Sequence, residues 1–349
     1  MRAFCFFVLA MVYFLFAVQV SGSAARGLTS GDTRELLSRA ILLFLLLTGY
    51  AGMGYAFQSQ REPIKAMGLM RRPGWQREFG LGLALGWGGI VACVLPVALF
   101  GSLVVTLWNT PRQYGLFLLN VLVLLVAALA EEIAFRGYPF QRLIESVGPT
   151  TATILMAVFF GLIHLRNPGS TSASTLVTVL SGVLLATAYL QTRALWLPWG
   201  FHFGWNCVMA LLFGLPVSGL NFSAVVDSNA TGPVWLTGGP YGPEGSLTAV
   251  VVLVVGLVVL VRITRDYAWK YAQPVIVAAG YPVDLDAAQS SVHEAAQANA
   301  EPAAPKLIQI VPTTSLSPSA LPGADASHLQ SEPPAKVEAE LPPETEPPL

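Results

Sequence analysis

The chain has 349 residues, 54% of them hydrophobic and only 11% charged, with a formal net charge of −1 and a mean hydropathy of +0.60. Soluble domains usually carry about 25% charged residues, so this composition excludes a soluble globular enzyme and implies that much of the surface is solvated by lipid. The near-neutral total hides +7 upstream of Gln273 and −8 from Gln273 onward, a balance that suits attraction of the membrane part to anionic lipid and calls for no nucleic-acid partner.

In chain order, apolar segments of spanning length begin near Phe4, Leu37, Leu81, Tyr114, Thr151, Thr175, Leu195 and Leu247. Crossing a bilayer takes roughly 20 residues of helix, so the expected architecture is all-α, a polytopic transmembrane helix bundle of about eight spans. In the first segment Arg2 precedes a Phe/Leu/Val run that ends in Val20-Ser-Gly-Ser-Ala-Ala25. This reads as a signal peptide or as a retained helix, and the length of the apolar run favours the helix. Arg61, Lys65, Arg71, Arg72, Arg77, Arg142, Arg193, Arg262, Arg265 and Lys270 all fall on one side of an eight-span chain, the expected cytoplasmic side, whereas 214–246 has no Lys or Arg. Arg26, Arg34 and Arg39 in the first loop run against that orientation. From about Gln273 the composition turns to Pro, Ala, Ser and Glu, with too few large apolar residues to offset ordering entropy, and a disordered C-terminal tail is expected. Cys5, Cys93 and Cys207 each lie in an apolar run, with the character of buried small hydrophobes.

A few polar residues interrupt the apolar part. Glu131 and Glu132 directly follow Val121–Ala130. A charge at the bilayer centre costs on the order of 2.5–3.5 kcal/mol, so such residues are functional candidates; the alternative is that the helix ends there and the pair lies at the interface. Glu132 and Arg136 are i,i+4 and share a face, while Glu131 is rotated by roughly 100°. Arg136 can therefore hold Glu132 while Glu131 stays free as a base. His164 ends Phe160-Gly-Leu-Ile-His164 on one segment, and His202 and Asn206 share a face of another. His293 and His328 lie in the tail and are incidental. Two imidazoles and a carboxylate can bind zinc with an open position for water, or activate water without metal. Intramembrane carboxylates and histidines also build the proton relays of transporters.

Glu131-Glu132-Ile-Ala-Phe-Arg136, Phe160-Gly-Leu-Ile-His164 and His202-Phe-Gly-Trp-Asn206 resemble, in order and spacing, the motifs of the CPBP intramembrane proteases, which include the type II CAAX prenyl proteases and the Abi proteins. The resemblance implies a helical bundle around a membrane cavity and an intramembrane endopeptidase. In it Glu131 would activate water, His164 would assist, and His202 and Asn206 would complete the site, Asn206 at the oxyanion. Glu132 and Arg136 would support them. Zinc held by Glu131, His164 and His202 is the cofactor such a site could take. Membrane lipids and a peptide or membrane-protein substrate are the implied partners, in a bacterial cytoplasmic membrane. The alternatives are a proton-coupled transporter and a non-catalytic scaffold or immunity protein on the same fold. The implied organisation is N-terminal spans and a cytoplasmic loop at 1–113, a catalytic core at 114–215, an extracytoplasmic loop and last span at 216–272, and the tail at 273–349. Within 216–272, Trp235–Gly245 reads as a structured connector punctuated by Gly and Pro, or as a lid.

Overall fold

A computed structural model describes residues 1–29, 31–222 and 225–265, so the expectation for the tail lies outside the described residues. Ten α-helices are described: α1 (Arg2–Leu28), α2 (Arg34–Gln58), α3 (Trp75–Phe100), α4 (Pro111–Arg136), α5 (Tyr138–Val147), α6 (Pro149–His164), α7 (Ser172–Thr192), α8 (Trp196–Cys207), α9 (Val234–Thr237) and α10 (Leu247–Ile263). All eight expected spans are helical. Five are long and apolar enough to cross a membrane on their own. The other three are α6, α10 and α8, the last extended by a π-helical turn over Val208–Leu212.

Local chemistry sets the boundaries. Thr110 caps α4, its hydroxyl accepting from the Gln113 N–H at 3.3 Å, with Pro111 in the first turn. At the other end a Cβ on Gly137 would lie 2.5 Å from the Ile133 carbonyl oxygen, so only glycine lets the chain turn sharply from α4 into α5. Thr171 and Ser174 cap α7 reciprocally.

The sequence reading missed two elements. Helix α5 is a short amphipathic segment that buries Tyr138, Phe140 and Leu143. The connector after α3 forms a strand, β1 (Ser102–Leu107), paired antiparallel with β2 (Val226–Thr231) in the register Ser102 to Thr231.

Two apolar clusters hold the bundle. One joins α1, α2, α5 and α6 to the end of α4 through Phe14, Leu46, Tyr50, Phe135, Phe140 and Met156. The other joins α3, α7, α8 and α10 through Ile90, Val94, Leu184, Phe201, Trp205 and Leu253. Helix α1 is a bundle helix: Tyr13 Oη donates to the Leu45 carbonyl at 2.6 Å, and Phe14 meets the edge of Phe135 with centroids 5.7 Å apart. At the basic end, the segment between α2 and α3 is tied across the bundle. Arg72 donates to Glu78 at 2.6 Å and to the Thr192 carbonyl at 2.7 Å, Trp196 Nε1 donates to the Met70 carbonyl at 2.9 Å, and Gln141 Nε2 donates to the Ala66 carbonyl at 2.7 Å.

Candidate active site

Helix α8 carries His202 and Asn206, and four glycines set its position. Gly82 and Gly86 on α3 face the Leu197 and Phe201 carbonyls, while Gly200 and Gly204 on α8 face those of Phe79 and Leu83; a Cβ on any of the four would collide with backbone. Small residues at four-residue spacing let membrane helices approach backbone to backbone. Trp199 Nε1 donates to the Leu125 carbonyl at 3.0 Å and ties α8 to α4 as well. With α8 held from both sides, His202 faces the end of α4.

The adjacent carboxylates there occupy different environments. The Glu132 side chain is fully buried and that of Glu131 is 24% exposed. Glu132 Oε1 accepts from Arg136 Nη1 at 3.2 Å and from His202 Nδ1 at 2.7 Å. Its Oε2 is buried with no hydrogen-bond partner among the described residues. Arg136 also donates to the Gly182 carbonyl at 3.2 Å, and its guanidinium lies 4.8 Å from the centroid of Phe160. Because Nδ1 of His202 is engaged by Glu132, Nε2 faces Glu131 Oε2, 3.8 Å away. Glu131 is not the free carboxylate that spacing suggested, since Arg39 Nη1 of α2 approaches to 4.0 Å while its Nε is paired with Glu35 at 2.7 Å.

His164 lies at the last turn of α6. Its Nδ1 donates to the Phe160 carbonyl at 2.7 Å, the acceptor fixing the tautomer and leaving Nε2 as the open nitrogen. The Phe160 ring is a hub, 4.6 Å from the His164 ring, 6.3 Å from the His202 ring in an edge-to-face arrangement, and under the Arg136 guanidinium. Glu131, His164, His202 and Asn206 all line one cavity of about 820 Å³, whereas Glu132 and Arg136 stand behind its wall. The six candidates are thus brought together, four on the cavity and two as a buried support.

Sequence reasoning missed three groups at this cavity. Arg39 was counted as a loop charge, yet it and Glu35 lie in the first turns of α2 and line the cavity. Glu244, in the Gly/Pro-rich connector before α10, lines it too and accepts from Trp205 Nε1 at 3.0 Å and from Ser218 N–H and Oγ–H at 2.5 and 2.8 Å. Burial pushes the Glu244 carboxyl above its usual range, against the pull of the Ser218 donors and Trp205. The connector is therefore a hydrogen-bonded wall of the cavity.

The zinc expectation can be set against the donors. Three protein ligands about 2.0–2.2 Å from a metal must converge closely on one another. Here Glu131 and His202 form a pair, and among the described residues no three His, Cys, Asp or Glu side chains group as a metal site. As they stand, the donors do not make a zinc site.

Residues 112–208 match the family model described as Type II CAAX prenyl endopeptidase Rce1-like. The matched segment, under a third of the chain, is similar to that family. The match contains all three motifs and leaves Glu35, Arg39 and Glu244 outside it. No curated protein and no solved structure matches the chain. The protein is an integral, multi-pass membrane protein with a segment similar to the CAAX endopeptidases.

Proposed function

We propose that the protein is an intramembrane endopeptidase in which Glu131 activates the attacking water. The observation that carries this reading is the relay from Arg136 through Glu132 to His202, which presents His202 Nε2 to Glu131 at 3.8 Å inside a membrane cavity. A water touching both atoms at roughly 2.8 Å fits over that base. Glu131 takes a proton from the water while its oxygen attacks the peptide carbonyl carbon. Asn206 Nδ2–H, four residues beyond His202 on the same face, donates to the oxyanion. Collapse of the tetrahedral intermediate breaks the C–N bond, and the proton held by Glu131 passes to the leaving nitrogen. His164, through Nε2, assists that transfer. Glu132 and Arg136 touch no reacting atom; they hold the orientation of His202. Glu131, His202 and Asn206 line a cavity within an apolar bundle, where electrostatic contacts act more strongly than in bulk water.

Purified wild type, Glu131→Ala and His164→Ala in proteoliposomes test the reading with membrane-anchored peptide reporters. Loss of about 10²–10⁴-fold in cleavage is expected for Glu131→Ala, with the fold retained. Wild-type rates in both folded variants would sink it, and Glu131-dependent solute flux with no peptide cut would point to a transporter instead.

A further inference from the structure

Glu244 lines the cavity but takes no part in the proposed chemistry. Glu35 and Glu131 face the Arg39 guanidinium. Glu244 is held instead by three uncharged donors: Trp205 Nε1–H at 3.0 Å on one oxygen, and the Ser218 N–H and Oγ–H at 2.5 and 2.8 Å on the other. Those two partners stand on either side of the turn that ends α8.

That turn is irregular. Val208 N–H donates to the carbonyls of both Gly204 and Trp205, and the helix then widens into the π-helical turn Val208–Leu212. Phe213 N–H reaches the Val208 carbonyl at 3.0 Å, and Leu215 N–H the Met209 carbonyl at 3.0 Å. The pitch changes just past Asn206, and single π turns are frequent at functional sites. Among the described residues the Asn206 side chain makes no hydrogen bond, so its direction is that of the backbone beneath it.

Glu244 braces the turn from both ends. Before it, the Trp205 ring stacks on Phe201 with centroids 5.9 Å apart, and a Cβ on Gly89 would lie 2.9 Å from it. Beyond it, Ser218 has a φ of 48°, a conformation that a residue other than glycine keeps only where its surroundings hold it. The Ser218 carbonyl accepts from Asn167 Nδ2 at 3.0 Å, and Asn167 N–H donates to the His164 carbonyl at 3.0 Å. Gly219 N–H donates to the Tyr241 carbonyl at 2.9 Å, in the connector that carries Glu244. One carboxylate therefore links the Asn206 end of α8 to the turn that follows His164.

From this bridge across the π turn we infer that Glu244 is a positioning residue: by holding Trp205 on one oxygen and Ser218 on the other, it fixes the end of α8 and with it the aim of Asn206 into the cavity. The consequence for cleavage rests on the peptidase reading; the brace does not. Glu244→Gln keeps the size of the side chain, but its amide NH₂ must face Trp205 or Ser218, donor against donor, and one half of the brace is lost. Ser218→Ala is a milder break that leaves the backbone donor.

Wild type, Glu244→Gln, Asn206→Ala and the double variant are compared as full chains in proteoliposomes with the membrane-anchored reporter. In Glu244→Gln kcat is expected to fall at least about tenfold through misplacement of Asn206, with KM changed by less than about twofold. In the Asn206→Ala background the same substitution is expected to cost less than about twofold, since the group it aims is gone. Equal losses in the two backgrounds, or a wild-type rate in Glu244→Gln, overturn the inference. Amide hydrogen exchange reads the brace without activity. At least about tenfold faster exchange over 205–220 is expected in Glu244→Gln, and a smaller rise there in Ser218→Ala, with α2 and α5 unchanged. Unchanged exchange over 205–220, or a rise spread evenly over the bundle, overturns it. Should Glu244→Gln fail to fold, Ser218→Ala carries both readouts. If wild type cuts no faster than Glu131→Ala, a rise confined to 205–220 upholds the brace and removes the peptidase reading.

Discussion

Helix α8 meets α3 backbone to backbone through Gly82, Gly86, Gly200 and Gly204, whereas α1 and α2 meet the cavity with side chains such as Phe14, Val18, Arg26 and Arg39. The first wall has no slack, and the groups it carries, His202 and Asn206, are aimed by backbone contact. The second borders open volume, and its groups reach Glu131 only through long side chains, Arg39 at 4.0 Å. The contrast separates residues that need sub-ångström placement from residues that supply charge. The buried relay from Arg136 through Glu132 ends on the tight side, at His202.

The sharpest way to break this contrast is Glu132→Ala. It leaves Arg136 buried without its carboxylate and His202 without its orienting acceptor. Removing one partner of a buried pair costs about 3–5 kcal/mol, so a large drop in thermal midpoint in detergent is expected together with loss of cleavage. Glu132→Gln, which keeps an acceptor, should lose less of both. Next comes Gly204→Leu on the tight wall, where overpacking costs about 1–3 kcal/mol. The same enlargement on the open wall, Ser38→Leu, should change stability by no more than about 0.5 kcal/mol. Equal melting shifts for these two would erase the distinction between the walls. A smaller effect is expected for Arg39→Met. Loss of a part-exposed ion pair at 4.0 Å, worth about 0.2–1 kcal/mol, should slow cleavage by no more than about fivefold with little change in melting, and Arg39→Lys should recover part of the rate. The smallest effect is expected from chelation: with only the Glu131–His202 pair converging, cleavage should survive metal stripping, checked by metal analysis of the same samples.

How much of this was legible beforehand follows from the kind of signal each feature leaves. Spans announce themselves by composition, and all eight segments proved helical. The motif residues were visible because a Glu pair and two histidines are expensive in an apolar run. Glu132 could be placed with Arg136 by i,i+4 spacing, but its bond to His202, 70 residues away, depends on helix packing that no local period encodes. Arg39 and Glu244 carry no intramembrane signal, since each lies near a span end where charges are ordinary. The four glycines were present as two GxxxG spacings, Gly82/Gly86 and Gly200/Gly204, and were the signal that could have paired α3 with α8. Strands β1 and β2 lie more than 100 residues apart, and neither alternates strongly enough to announce a partner.

The turn at Gly137 has a mechanical consequence. Helix α5 begins immediately after α4 and lays an amphipathic face on the bundle at the basic end, which pegs α4 against vertical movement. Glu131 lies seven residues before Tyr138, about 10 Å along the helix axis. On the proposed peptidase reading, a carboxylate held at a fixed height above that turn predicts cleavage at a set distance along the substrate more than at a set sequence.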